Sequence, residues 1–325
     1  MEPAYFAWLG NFIGGTFAGD KRHGYHVRLV RSGQSFDDFD LLNVVHPPDH
    51  YQCYWIKLAK GSDFPSRTVS LTDQFEQRLT TVEKPEVLCN PADKNGEGIA
   101  DPLTHLVAYQ IKNAKVCADT GAACDTKKDC NPDVACAAPK SEPYAVRVEN
   151  QFGALLLETQ KPTQLLVPSA KSLTDPTDPL TATAVDHFKC YDIKVNKNRC
   201  EGDSTLKCNS DADCASAGPC NFGFPKGTTV TVKDQFTDPS KAFELKAPSQ
   251  LCNPVNLDGE GIQALDNHLL CYPVKPVKGE PAHVKRTGVH VNNQFGPLVL
   301  DTVKEEELCV PTQKTLLSAP TVGAE

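Results

Sequence analysis

The sequence predicts an all-β protein that is held together by disulfide bonds and built by internal duplication. Three observations support this prediction: fourteen cysteines, a high content of proline (25) and glycine (21), and an ordered set of short motifs that recurs along the chain. Frequent proline and glycine favour turns and short strands over long helices. We therefore expect two tandem β-sandwich or barrel-like domains, each an internal pseudo-twofold duplication with a small disulfide-rich insert.

Length and charge exclude several classes of function. A chain of 325 residues is long enough for two or three domains. Its net charge of -8 argues against binding to nucleic acid or to anionic membrane surfaces, because both require a basic face. No run of about 20 apolar residues is present, so we predict no membrane insertion by a helix.

The repeated motifs set the predicted domain boundaries. Repeat domain A (49–173) and repeat domain B (186–316) each open with a related segment, DHYQCYWIK or DHFKCYDIK, and continue through D-Q-F to L-C-N-P. Each domain then repeats the pattern in weaker form from Thr104 or Asn267, through N-Q-F-G to LLVP or LCVP. The chain therefore contains four units, numbered one to four in chain order. A linker at 174–185 separates the two domains, and a short tail follows at 317–325.

Side-chain alternation indicates that the motifs form strands. Val146 and Val148 alternate with polar residues, as do Val289 and Val291, which is the period of a half-buried strand. Short leucine-rich runs follow each N-Q-F-G segment, which is typical of the second strand of a hairpin.

Comparison of the four units predicts three framework disulfides. In units one, three and four, a cysteine occurs in the opening segment and another in the closing L-C-x-P motif. Unit two has lost both, with Ala108 and Leu166 in their places, and a disulfide explains this joint loss because a lone thiol has no partner. Each bridge stabilises the fold by roughly 4 kcal/mol in the chain-entropy model. The predicted bridges are Cys53–Cys89, Cys190–Cys252 and Cys271–Cys309.

The other eight cysteines form two clusters that interrupt units two and three. We predict inserts at about 113–140 and about 196–222, each closed by two internal disulfides, and four cysteines allow three connectivities. Zinc binding is the competing interpretation, but the spacing lacks the paired C-x2-C knuckle. The clusters consist of Cys117, Cys124, Cys130 and Cys136, and of Cys200, Cys208, Cys214 and Cys220.

No motif indicates an active site. The sequence lacks G-x-S-x-G, H-E-x-x-H, G-x-G-x-x-G and P-loop patterns, so we predict a non-catalytic protein without a cofactor. Histidine, tyrosine and lysine recur at fixed places in the opening segments, and a residue copied into four units is expected to serve the scaffold. These residues are His50, His105, His187 and His268; Tyr54, Tyr109, Tyr191 and Tyr272; and Lys57, Lys112, Lys194 and Lys275.

Two glycine-containing turns are weak calcium candidates. Oxygen-bearing side chains alternate around the turn in each, but the loops lack the glycine at position six and the closing bidentate glutamate of a calcium loop. A plain turn is therefore the favoured interpretation. The candidate ligands are Asp93, Asn95 and Glu97 in the first turn, and Asn256, Asp258 and Glu260 in the second.

The first 33 residues resemble the end of the Lcl C-terminal domain, which is named from the Legionella collagen-like adhesin. The likeness rests on AWLGNFIGG and YHVRLVR, although Leu29 stands where that family often has cysteine. It implies a truncated domain tail at 1–33, a linker at 34–48, and a natural start farther upstream that carries the missing signal peptide. The matching residues are Ala7, Trp8, Asn11, Phe12, Gly14, Gly15, Tyr25, Val27, Arg28, Val30 and Arg31.

The two copies resemble an uncharacterised repeat domain of secreted proteins from myxobacteria-like Deltaproteobacteria. HFKCY, DQF, LCNP, GEGI, HLLCY, NQFG and LCVP carry this likeness. Together with the cysteines, it implies a secreted or cell-surface protein. The resemblance of the first segment to an adhesin domain adds, by analogy, a structural or adhesive role with glycans or extracellular polymer as expected partners. Two alternatives remain open: an accessory, non-catalytic region of a secreted hydrolase, and a calcium-dependent binding module.

Overall fold

The computed structural model describes residues 48–317, and within them it contains eighteen strands, two short 3₁₀ helices (Lys127–Asp129 and Asp211–Cys214) and no α-helix. The predicted all-β class is confirmed. No helix in this part of the chain is long and apolar enough to cross a membrane. The predicted tail at 1–33, nearly all of the linker at 34–48 and residues 318–325 lie outside the described residues.

The eighteen strands are numbered in chain order. They are β1 (His50–Leu58), β2 (Arg67–Thr72), β3 (Gln77–Lys94), β4 (His105–Asn113), β5 (Val116–Cys117), β6 (Cys136–Ala137), β7 (Ala145–Asn150), β8 (Gly153–Ser172), β9 (His187–Val195), β10 (Arg199–Cys200), β11 (Asp203–Lys207), β12 (Cys220–Asn221), β13 (Thr229–Lys233), β14 (Lys241–Leu245), β15 (Gln250–Leu257), β16 (His268–Pro276), β17 (Val289–Asn293) and β18 (Gly296–Leu316).

Eight of these strands close into a ring in which every neighbouring pair is antiparallel. Each unit contributes its opening and closing strands, which pair with each other: β1 with β3, β4 with β8, β9 with β15, and β16 with β18. The closing strand of each unit then pairs with the opening strand of the next, and β18 returns to pair with β1. Closure leaves the ring without a free strand edge.

Four hairpins extend from the ring and link units that lie opposite each other in it. The D-Q-F or N-Q-F strand of each unit forms the first strand of a hairpin, namely β2, β7, β13 and β17. Strand β2 of unit one also pairs with β15 of unit three, and β13 of unit three pairs with β3 of unit one. In the same way, β7 of unit two pairs with β18 of unit four, and β17 of unit four pairs with β8 of unit two.

This topology corrects the prediction of two separate repeat domains. Strand β8 of domain A pairs with β9 of domain B, β18 of domain B pairs with β1 of domain A, and the described residues belong to one compact unit. Either copy alone would be half a ring with two exposed strand edges, whose backbone groups find partners only when the halves close on each other. The four predicted units therefore lie within a single fold.

Alternation along the ring strands produces an inner core and two outer cores. The inner core takes residues from all eight ring strands, including Tyr51, Phe188 and the framework cysteines. The intervening residues face outward beneath the hairpins, where Tyr54 lies in one outer cluster and Tyr191 in the other. The ring strands are thus buried on both faces, because the hairpins cover the side that an isolated sheet would expose to water.

All fourteen cysteines are paired, and the three framework bridges are those that unit comparison predicts. Each joins directly opposed residues of neighbouring strands, with a Cα–Cα distance of 3.9 Å. In unit two, Ala108 faces Leu166 at the same place, so an apolar pair fills the volume that a disulfide occupies elsewhere.

The two inserts share one connectivity, which the sequence left open. In both, the first cysteine pairs with the third and the second with the fourth: Cys117–Cys130, Cys124–Cys136, Cys200–Cys214 and Cys208–Cys220. A carboxylate organises each insert, since Asp129 accepts the backbone N–H groups of residues 125 and 126, and Asp213 those of residues 209 and 210. All eight sulfur atoms are in disulfides.

Candidate functional site

The four repeated histidines begin the ring strands but do not share one environment. His50 lies 2.7 Å from the carboxylate of Glu97, and His187 lies 2.6 Å from a glutamine amide. His105 and His268 are buried, and their Nδ1 atoms have no hydrogen-bond partner among the described residues. Burial lowers the pKa of His105 to about 2 and of His268 to about 3, so both stay neutral near pH 7.

The calcium candidates lie in two turns, and each turn forms hydrogen bonds with the unit on the opposite side of the ring. Asn95 and Asp258 adopt the left-handed conformation, with φ of 56° and 49°. The Oδ1 atom of Asn95 accepts the backbone N–H of Thr231 at 2.9 Å, and Oδ1 of Asp258 accepts that of Ser70 at 2.7 Å. These contacts join units one and three, which explains why the two turns share a sequence pattern.

The other four calcium candidates also have partners within the chain. Asp93 and Asn256 each accept a backbone N–H five residues later, both at 3.0 Å. Glu97 binds the Lys94 ammonium as well as His50, and Glu260 lies 3.8 Å from a ring nitrogen of His187. Calcium binding by these residues stays a prediction.

The two ends of the ring differ in polarity. On the histidine side of the cysteines the inner core contains Tyr51, Leu106, Phe188 and Leu269. On the other side of the cysteines, toward the repeated lysines, the inward-facing residue nearest to the cysteine position in each ring strand belongs to a set of eight that we call the polar layer. The polar layer consists of four cross-strand pairs: Trp55 and Val87, Gln110 and Gln164, Asp192 and Gln250, and Pro273 and Glu307.

Hydrogen bonding satisfies only part of the polar layer. Gln250 donates to the Thr163 hydroxyl at 3.1 Å, and that hydroxyl donates to Asp192 at 3.1 Å. The Oε1 atoms of Gln164 and Gln250 are buried without a partner among the described residues. Buried polar atoms are normally paired, so two free acceptors on one side of a ring point to water or a ligand.

The carboxyl group of Glu307 completes the layer as a donor. The residue is only 7 % exposed, and burial, aided by the nearby charge of Glu306, raises the pKa of its carboxyl group to about 8. At pH 7 the group is therefore mostly protonated and offers an O–H. Five of the eight positions thus carry polar groups at one end of a core that is otherwise apolar.

Two grooves open beside the polar layer. The larger has a volume of about 430 Å³ and crosses β3, β4 and β8, where Gln110, Gln164, Glu86 and Lys112 line it. The smaller, of about 330 Å³, lies between β1 and β3 and includes Trp55, with Glu86 common to both. We call the two together the mouth groove.

Sequence reasoning missed the polar layer because its residues are not repeated. Motif comparison rewards identity between units, whereas this position is tryptophan, glutamine, aspartate or proline in the four opening strands. One usable signal was present: Gln164, Gln250 and Glu307 each stand two residues before the inward residue of the closing motif, where alternation predicts a core position.

The repeated lysines are all exposed, and only one of them lines the larger groove. Lys112 does so and pairs with Glu83, whereas Lys194 and Lys275 lie elsewhere on the rim.

Among known proteins, no family model matches this chain, and no curated protein sequence or solved structure matches it either.

Proposed function

We propose that the protein is a non-catalytic structural and adhesive module that acts outside the cell and binds glycans or a similar extracellular polymer in the mouth groove. The observation that carries this proposal is Gln164: the residue is only 8 % exposed, its Oε1 has no partner among the described residues, and it lines the larger groove.

The groove chemistry suits a polyhydroxylated ligand. Side-chain amides offer a donor and an acceptor in one plane, and the carboxylate of Glu86 adds two acceptors, so adjacent hydroxyl groups can be bound as both donors and acceptors. Trp55 adds an aromatic surface in the smaller groove. An open groove favours a chain that lies across the surface over a small molecule, because small molecules are usually enclosed in concave pockets.

The scaffold supports an extracellular binding role. Seven disulfides are typical of a protein that folds in an oxidising environment. A closed ring with disulfide-linked strands also holds the groove residues in fixed positions, which lowers the entropy lost on binding.

A glycan array of neutral and acidic saccharides, followed by calorimetric titration of the strongest binder, tests this function. Gln164→Leu removes the amide while keeping similar volume, and we expect it to weaken binding by about tenfold, the effect of about 1.4 kcal/mol. Lys112→Ala is expected to weaken binding to a smaller extent.

Lys194→Ala supplies the matched control. Lys194 occupies the same repeat position as Lys112 and is exposed like it, but it does not line either groove. Its removal should leave affinity unchanged. A protein that binds no saccharide on the array, or equal losses in the Lys112→Ala and Lys194→Ala variants, would contradict a glycan site in the mouth groove.

A further inference from the structure

A lysine, an asparagine and an aspartate from three different units meet on the outer side of the ring. The Lys171 ammonium donates to Oδ1 of Asn90, and Nδ2 of Asn90 donates to Oδ2 of Asp234 at 2.8 Å. Asn90 is fully buried and Asp234 is 5 % exposed. The ring of Phe236 lies 4.2 Å from the lysine nitrogen. We call Lys171, Asn90 and Asp234 the first triad.

The same arrangement occurs a second time in the opposite half of the ring. Lys314 donates to Oδ1 of Asn253, whose Nδ2 donates to Oδ2 of Asp73 at 3.2 Å. The ring of Phe75 lies 4.3 Å from the lysine nitrogen, and Asn253 is fully buried. Lys314, Asn253 and Asp73 form the second triad. A tyrosine of the repeated set, Tyr54 or Tyr191, donates to the aspartate in each case.

The third equivalent place in the ring has lost two members of the triad. Val310 stands where the asparagine is expected, and Asn150 stands where the aspartate is expected. The lysine remains as Lys94, 5.9 Å from the ring of Phe152, but it pairs with Glu97 instead.

The fourth place has lost all three. Val167, Asn293 and Leu257 replace the asparagine, the aspartate and the lysine, and the tyrosine hydroxyl there bonds to the Asn293 amide. Asparagine and aspartate are therefore either both present or both absent in the four units. This joint loss parallels that of the framework cysteines, and it indicates that the two groups act together on the lysine.

We propose that both triads are sites of an intramolecular amide cross-link between the lysine Nζ and the asparagine Cγ. The bonds join Lys171 to Asn90 and Lys314 to Asn253. In each triad the lysine nitrogen lies against the carboxamide that it would attack, the aspartate holds the nitrogen that would leave, and a phenylalanine ring covers the pair.

The reaction needs no oxidant or cofactor. The lone pair of the neutral lysine amine attacks Cγ of the asparagine, and the Cγ–Nδ2 bond breaks as the Cγ–Nζ bond forms. One proton passes from the amine through the aspartate carboxyl group to the departing nitrogen, which leaves as ammonia. The aspartate is returned to its starting state, so amine plus primary amide gives secondary amide plus ammonia.

The electrostatic environment supports proton transfer in this direction. Desolvation lowers the pKa of Lys171 and of Lys314 to about 7, so a substantial fraction of each amine is uncharged and nucleophilic near neutral pH. Burial raises the pKa of Asp234, which favours the protonated acid that the leaving nitrogen requires. An amide bond would also remove the cost of keeping an ammonium group in this desolvated place.

Mass spectrometry of the full chain, folded under oxidising conditions and then reduced and denatured, tests the proposal. Two cross-links lower the intact mass by two ammonia molecules, about 34 Da in total. Protease digestion should yield two branched peptides that survive reduction, one with Asn90 and Lys171 and the other with Asn253 and Lys314. The proposal would be overturned by a protein that forms all seven disulfides before reduction, yet shows the full sequence mass after reduction and yields only linear peptides.

Single substitutions separate the cross-link from folding, because the two triads report independently. Lys171→Arg should leave a deficit of about 17 Da from the second triad alone, and Asp234→Asn should do the same. The remaining bond shows that the variant folded. Lys94→Arg is the matched control, since its place has valine instead of asparagine, and it should keep the whole deficit. A Lys171→Arg variant that keeps both losses would refute the assignment of the first triad.

Discussion

Replacing Glu307 with glutamine tests the electrostatics of the polar layer. The folded protein raises the pKa of this carboxyl group from 4.5 to about 8 because the group is desolvated. A folded pKa above the unfolded one means that the native state binds the proton more tightly, so stability falls as pH rises from about 4.5 to about 8. At about 1.4 kcal/mol per pKa unit, the loss amounts to about 5 kcal/mol once the group is ionised.

Glutamine removes the ionisation and keeps a similar shape, so Glu307→Gln should unfold with a free energy that changes much less across this pH range. Guanidinium denaturation of the oxidised protein at intervals from about pH 5 to about pH 9 measures the difference. At the acid end the two proteins should be nearly equally stable, and at the alkaline end the variant should be the more stable one. Glu142→Gln, at an exposed site, should leave the pH profile of the wild type unchanged. Parallel profiles for the wild type and Glu307→Gln would refute the buried, proton-binding carboxyl group.

Three further predictions concern the scaffold. The double substitution Ala108→Cys and Leu166→Cys places two cysteines in the register of the framework bridges, so a fourth disulfide should form and raise the free energy of unfolding by up to about 4 kcal/mol; free thiols at these positions in the oxidised protein would contradict the register. Asp258→Ala should cost about 1 kcal/mol because the backbone N–H of Ser70 loses its acceptor, and added calcium should not shift the Tm of the wild type. A calcium-dependent rise in Tm would favour the metal-binding alternative. Lys241→Met leaves the buried carboxylate of Glu305 without its 2.6 Å partner, so denaturant titration should show a loss of about 3–5 kcal/mol, and an unchanged midpoint would argue against the pair.

The disulfide framework was predictable because it is a property of single units. Cys53 and Cys89 belong to the same unit, and the joint replacement by Ala108 and Leu166 in another unit revealed their pairing without any knowledge of the fold. The all-β class followed from similar local signals, the alternation of valines and the dense turns.

The closed ring was not predictable from the same signals, because it depends on pairing between units. All four opening strands have the same pattern, so the pattern does not say whether a closing strand meets the opening strand of its own copy or of the other. Leu166 of domain A faces Phe188 of domain B in the structure. Both are apolar strand residues that could equally well face an apolar residue of their own copy. The polar layer escaped notice for the opposite reason, since residues such as Gln164 and Glu307 vary where the scaffold repeats.

The junction between the first and last ring strands has a consequence for the order of folding. Tyr51 pairs with Cys309, so β1 cannot gain its second neighbour until β18 has been synthesised. In an oxidising environment the chain can form Cys53–Cys89 before β18 is available, but that first pair of strands keeps an open edge until then. The early disulfide therefore preserves the register of β1 and β3 while β1 lacks its second neighbour, and β18 determines when the ring can first close.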